Sequence, residues 1–175
     1  MCSSDLSKAA ARMAEQFESR QIRKTYLAVA EGCPDPADGE LHDWLLKLPE
    51  QSRAEVVAAD VPGARECHLS YRVLASHGSQ TLLEVEPHTG RMHQIRVQLA
   101  SRGWPILGDT VYGSVAHCPV AHTSHVCPTA ASAEPREHSI ALHAQSLKFL
   151  HPIRYDPIVV SAPLPSHWPS WCSSV

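Results

Sequence analysis

The chain has little that would carry it across a membrane or lock it with cross-links. Within its 175 residues no apolar run approaches the roughly 18 residues that a spanning helix needs. The first residues lack the basic-then-apolar order of a secretory signal. The six cysteines, Cys2, Cys33, Cys67, Cys118, Cys127 and Cys172, are scattered without a Cys-x-x-Cys pair or a regular spacing. That reads as reduced thiols in a cytoplasmic setting rather than a disulfide framework. A glycine-rich phosphate loop, a Gly-x-Ser-x-Gly elbow and a His-Glu-x-x-His helix are all absent, which argues against the chemistries those motifs carry. No internal repeat is visible.

What is present fits one globular domain. A hydrophobic fraction of 43% and a charged fraction of 19% suit a soluble chain long enough for a real core. The net charge of −3 is a mild argument against RNA binding, because phosphate contacts dominate affinity for nucleic acids. Its distribution matters more than its sum. Arg20, Arg23 and Lys24 form one basic cluster and Arg91, Arg96 and Arg102 another, while acids gather at Asp35, Asp38, Glu40, Asp43, Glu50 and Glu55. Twelve histidines add positive charge as pH falls toward about 6. The balance is compatible with a local RNA face.

Periodicity gives the elements. Ala10, Met13, Ala14 and Phe17 recur at helical spacing and predict a helix over 7–20. Alternation predicts a strand over 23–31, followed by a turn-rich connection at 32–39. Shorter strands are expected at 55–58, 68–75 and 80–86, with 69–74 and 81–85 forming a hairpin across Ser76-His77-Gly78-Ser79. Residues 91–102 return to helical spacing and stop at Gly103. Residues 114–138, without Leu, Ile or Phe, read as a long surface loop. Regular pattern resumes at 140–149 and 158–161, and an irregular tail occupies 166–175. The sum is an α+β domain over 7–165, with helices flanking a mixed or antiparallel central sheet.

The densest signal runs from His88 to Gly113: His-Thr-Gly-Arg-Met-His-Gln-Ile-Arg-Val-Gln-Leu-Ala, then Gly-Trp-Pro-Ile-Leu-Gly-Asp-Thr-Val-Tyr-Gly. Planar hydrogen-bonding side chains crowd a Thr-Gly turn there, as if preparing a site for something anionic or base-like. This stretch resembles the Gly-Arg-x-His-Gln-Ile-Arg motif and the Pro-Ile-Leu-Gly-Asp…Tyr-Gly continuation of the RluA-type RNA pseudouridine synthases. Lys24-Thr25-Tyr26, with Glu31-Gly32 after it, and Leu142-His143-Ala144 match two more motifs of that family. The resemblance covers roughly 8–165 and implies a pseudouridine synthase-like fold. It implies isomerisation of uridine in RNA (rRNA or tRNA) with neither metal nor organic cofactor, and neither DNA nor a membrane as partner.

The resemblance also assigns roles. Arg96 would pair with the catalytic aspartate and hold it ionised and oriented, through a bidentate grip that lysine cannot supply. Tyr26 would stack on the target uracil and is a candidate for accepting its C5 proton. Lys24, Arg91, His93 and Gln94 are candidates for RNA binding, with local bracing of the Thr89-Gly90 turn the competing reading for Arg91, His93 and Gln94. Leu142 would wall the base pocket, and His143 has no assigned role. Asp109, in the Leu-Gly-Asp turn, reads as structural rather than nucleophilic.

One expected motif is missing. The family's His-Arg-Leu-Asp-x-x-Thr-Ser-Gly segment, whose aspartate starts the reaction, is not among the 175 residues, and Asp5 lies too close to the first helix to replace it. Aligning 10–17 with the family's following helix puts that aspartate before Met1. Cys2-Ser3-Ser4-Asp5-Leu6 matches nothing in the family and is also what a common sequencing-adapter oligonucleotide encodes. The expectation is an N-terminally truncated fragment, inactive as it stands. One rival reading is a non-catalytic RNA-binding derivative. Another is a small metal-binding interaction protein centred on His117, Cys118, His122, His125 and Cys127, although their spacings follow no familiar ligand pattern.

Overall fold

The computed structural model describes residues 3–114 and 139–174. The expected 114–138 loop, apart from Ser114, lies outside the described residues, and so do its candidate ligands His117, Cys118, His122, His125 and Cys127.

In chain order the elements are α1 (Ser3–Glu18), β1 (Arg23–Glu31), β2 (Asp38–Leu48), β3 (Arg53–Val57), β4 (Arg65–His77), β5 (Gln80–Pro87), α2 (Gln94–Ala100), β6 (Leu142–Leu150) and β7 (Pro157–Ser161). The seven strands form one sheet in the order β3-β2-β4-β5-β1-β6-β7, and every neighbouring pair is antiparallel. The fold is α+β, with an antiparallel sheet and, among the described residues, two α-helices.

β1 sits deep in the sheet because its Leu27-Ala28-Val29-Ala30 run is apolar on both faces, and all four residues are buried. Tyr71, Leu83, Val85, Ile95, Leu99 and Ile106 belong to the same core. α1 docks at the far side of the sheet through Gln16. Its buried amide donates to the Leu150 carbonyl at 2.9 Å and accepts from the Leu150 N–H at 2.8 Å.

Several boundaries differ from the sequence expectation. β2 was not expected, because Asp43 interrupts its alternation of buried Leu41 and Leu45 with outward Glu40, His42 and Trp44. The inward carboxylate is satisfied by Arg102 Nη1 at 2.8 Å and Gln98 Nε2 at 2.7 Å. α2 is shorter than 91–102 because His93 adopts a left-handed conformation, φ 54°, immediately before it. After α2, Gly103 at φ 78° supplies the left-handed turn that ends the helix.

The tail is a second correction. Residues 166–175 were expected to be irregular, but Ser170–Ser174 forms a short 3-10 helix. Trp168 is buried, and Leu164 and Trp171 pack against the main core. A cavity of about 220 Å³ between Leu27, Leu74 and Leu82 of the sheet and Leu164 and Cys172 of the tail marks this face. The sheet's apolar side needs cover, and the tail's tryptophans provide part of it.

Candidate functional site

The His88–Arg91 turn is fastened to β4 rather than left free. The carbonyl of His68 accepts from the N–H groups of His88 at 2.9 Å and Thr89 at 3.3 Å, and the His68 N–H donates to Thr89 Oγ1 at 2.9 Å. Gln94 completes the lock. Its buried amide oxygen accepts from Thr89 Oγ1 at 2.8 Å and the Arg91 N–H at 3.0 Å. Its Nε2 donates to the His68 carbonyl at 3.0 Å. Of the two roles the sequence left open for Gln94, the geometry carries the bracing one, because its polar atoms are spent inside the protein. Arg91 donates from Nε to the Glu66 carbonyl at 3.1 Å and lines the open cleft beside it.

Two residues after Gln94, Arg96 grips Asp109. Nε donates to Oδ2 at 2.7 Å and Nη2 to Oδ1 at 2.8 Å. The carboxylate is 1% exposed and the guanidinium 16%. Burial pulls the guanidinium's pKa down, but the bonds and charge of Asp109, with Tyr112, outweigh it and leave it above its ordinary value. Arg96 also lies over the Tyr112 ring, 4.8 Å from its centroid, where a cation gains from the ring's negative face.

Tyr112 ties this pair to the rest of the motif. Its hydroxyl accepts from the Ala54 N–H at 3.0 Å and lies 2.9 Å from His93 Nδ1. Burial, then the positive charge of Arg96, hold His93 below the usual imidazole range, against the pull of Asp109. A neutral His93 accepting at Nδ1 takes the one tyrosine proton, which places its own proton on Nε2. His93 thus looks inward, to Tyr112.

Tyr26 and Leu142 share a face of the sheet. Tyr26 pairs with Val85 on one side and Ala144 on the other. Leu142 pairs with Ala28, two residues along β1, so alternation puts Leu142 diagonally beside Tyr26. Both are half-buried and pack against the main core. The partner of Arg96 was missed in the sequence, where Asp109 read as merely structural. The Leu-Gly-Asp turn, placing a buried acid 13 residues after the arginine, was the available signal.

A cleft of about 790 Å³ opens between the end of α1, the start of β1 and the Thr89–Arg91 turn. Arg20, Arg23, Lys24 and Arg91 line it against Glu18 and Glu86, so cations dominate. Lys24 Nζ lies 5.4 Å from the centre of the half-exposed Phe17 ring. Cationic side chains next to an aromatic face can hold a phosphodiester backbone and an unstacked base. The other obvious nucleophile type offers little: the Cys67 thiol is pushed up to about 11, first by burial and then by Asp43.

Comparison with known proteins places the chain in a family. A family model described as RNA pseudouridylate synthase matches residues 1–101. An uncharacterized RNA pseudouridine synthase of Synechocystis sp. is 37% identical over 153 residues, covering 87% of this chain and 49% of the relative. Ribosomal large subunit pseudouridine synthase D of Xanthomonas campestris is 33% identical over 153 residues, covering 87% and 44%. The chain therefore spans about half the length of these curated relatives. Among solved structures, human RNA Pseudouridylate Synthase Domain Containing 4 superposes with a TM-score of 0.68 at 24% identity, over 90% of this chain and 63% of that one. That likeness concerns the fold alone.

Proposed function

The chain belongs to the RNA pseudouridylate synthase family, and from that premise we propose that it supplies the base pocket and the positioning arginine of a uridine-isomerising RNA site. The observation that carries this reading is the fixed guanidinium of Arg96. Asp109 occupies its Nε–Nη2 edge, while among the described residues Nη1 makes no hydrogen bond. A guanidinium anchored on one edge is pre-organised to receive a second carboxylate on the other, and pre-organisation is what a reacting group needs.

On this reading Tyr26 stacks on the extruded uracil, Leu142 walls the pocket beside it, and the Lys24–Arg91 cleft holds the RNA backbone. The isomerisation breaks the bond between ribose C1′ and base N1, turns the base, and joins C1′ to C5, whose proton is then removed. It requires an aspartate in a His-Arg-Leu-Asp-x-x-Thr-Ser-Gly setting, which the 175 residues do not contain. The chain by itself therefore binds RNA and does not isomerise uridine.

The test is direct. The purified chain is assayed for pseudouridine formation in bulk RNA, alone and with an in-frame N-terminal segment carrying the aspartate motif. Activity confined to the extended chain supports the reading. Turnover by the chain alone, or none in the extended chain despite folding, overturns it.

A further inference from the structure

On the outer face of β2 and β4, three side chains of metal-ligand type converge at positions no sequence motif marks. Glu40 and His42 alternate along β2, so both face away from buried Leu41. His42 pairs across the ladder with His68 of β4. Their rings stack with centroids 3.8 Å apart and planes 17° from parallel. Glu40 Oε2 lies 3.5 Å from His42 Nε2 and 3.3 Å from His68 Nε2. All three ligand atoms fall within 4.8 Å of one another. Among the described residues the buried His68 Nε2 makes no hydrogen bond, although the Glu40 carboxylate lies 3.3 Å away.

We propose that Glu40, His42 and His68 form a binding site for one divalent transition-metal ion, with Zn²⁺ the best match. A tetrahedral zinc site with ligand bonds near 2.0–2.1 Å sets its ligand atoms about 3.4 Å apart. Two of the three separations here already have that value. The third, between the two imidazoles, is within 4.8 Å and closes when the exposed His42 ring swings off its stack on His68. Two imidazoles and one carboxylate suit zinc and its neighbours, whereas calcium and magnesium want oxygen alone. A fourth position is left for water.

His88 closes the cluster from the other side, its ring 4.5 Å from that of His68 and its Nε2 3.1 Å from Ser70 Oγ. The backbone of His68 is the anchor of the Thr89 turn. An ion at this site would clamp β2 to the strand on which the motif turn rests.

The experiment is Zn²⁺ titration into the full chain after chelation and reduction, read by calorimetry and by thermal melting. The expected result is one ion per chain at micromolar affinity, with Tm rising as Zn²⁺ is added. His42→Ala and Glu40→Gln, both at exposed positions, should each weaken binding by at least about tenfold. A Cys118→Ser/Cys127→Ser double variant should bind as the parent does. Three results overturn the proposal: no Zn²⁺-dependent shift, affinity within about twofold of the parent in His42→Ala, or binding lost only in the cysteine variant.

Discussion

Arg96 and Asp109 are joined by two parallel hydrogen bonds of 2.7 and 2.8 Å, from one edge of a half-buried guanidinium to both oxygens of a buried carboxylate. The pair links α2 to the turn before Tyr112, and Tyr112 then reaches His93 and the backbone of Ala54. A motif that reads as a string of polar residues is thus folded into one closed network. Only a planar, always-charged group meets both geometric demands.

Removing the acid should therefore cost more than removing an ordinary surface partner. Asp109→Asn leaves the Arg96 charge without its counterion in a site where it is 16% exposed, and should destabilise by about 3–5 kcal/mol. The exposed pair Arg154–Asp156, at 67% and 48%, provides the contrast: Asp156→Asn should cost about 0–1 kcal/mol. Urea denaturation of the two variants measures the difference. Equal losses would mean that the buried pair is not the fastening it is taken to be.

Tyr112→Phe isolates a different contact. The ring remains beneath Arg96, but the Ala54 N–H loses its acceptor and His93 its partner. Leaving a buried donor unsatisfied costs about 1–3 kcal/mol. The same denaturation experiment reads this loss, which should shrink when His93 has already been replaced by Ala, because the two residues share one hydrogen bond.

The lowered pKa of His93 has a pH signature. Its folded value lies below the ordinary imidazole value of 6.5, so the unfolded chain takes up the proton first as pH falls. The stability held by neutral His93 is complete above about pH 6.5 and is lost as pH falls below it toward the folded value. Thermal melts from pH 8 to pH 5.5 should show Tm falling over the acid part of that range. In His93→Gln, where the group cannot titrate, the fall should be shallower. His68, also lowered, contributes in the same direction, so the acid loss is reduced rather than abolished.

Much of this was legible in the sequence, for physical reasons that differ by element. β1 and the β4–β5 hairpin were visible because their apolar residues fall in strand-length runs and Gly78-Ser79 supplies the turn. The His88–Gly113 motif marked the site. β2 was hidden because Asp43 occupies an inward position, tolerable only with Gln98 of α2 and Arg102 just beyond it, 55 or more residues away. The Glu40–His42–His68 cluster was hidden with it, since one member lies on another strand. The bracing role of Gln94 was one of two readings open in the sequence, but its bond to the His68 carbonyl, 26 residues earlier, was not visible there.

The cleft gives a prediction about RNA affinity. Lys24→Ala and Arg91→Ala should each weaken binding to single-stranded RNA at low salt. Each should also reduce the slope of log affinity against log salt by about 1, as expected when one phosphate contact is removed. Lys148→Ala, on β6 and outside the cleft lining, should leave the slope unchanged. Filter binding over a range of salt concentrations decides it. Identical slopes for all four proteins would take the RNA path away from this cleft.

The proposed chemistry is tested most sharply by two conservative changes in the chain extended with the aspartate motif. Arg96→Lys keeps the positive charge and loses the fixed fork, so the carboxylate it orients is free to wander. A displacement of about 1 Å can cost roughly 100-fold in rate, and RNA affinity should hardly change. Tyr26→Phe keeps the ring that stacks on the base and removes the hydroxyl, so the block should fall after base capture rather than before it. Single-turnover rates measured beside RNA affinities separate the two effects. An Arg96→Lys rate within about twofold of the parent would show the indifference of a surface arginine and would leave Asp109 as the whole reason for the guanidinium's position.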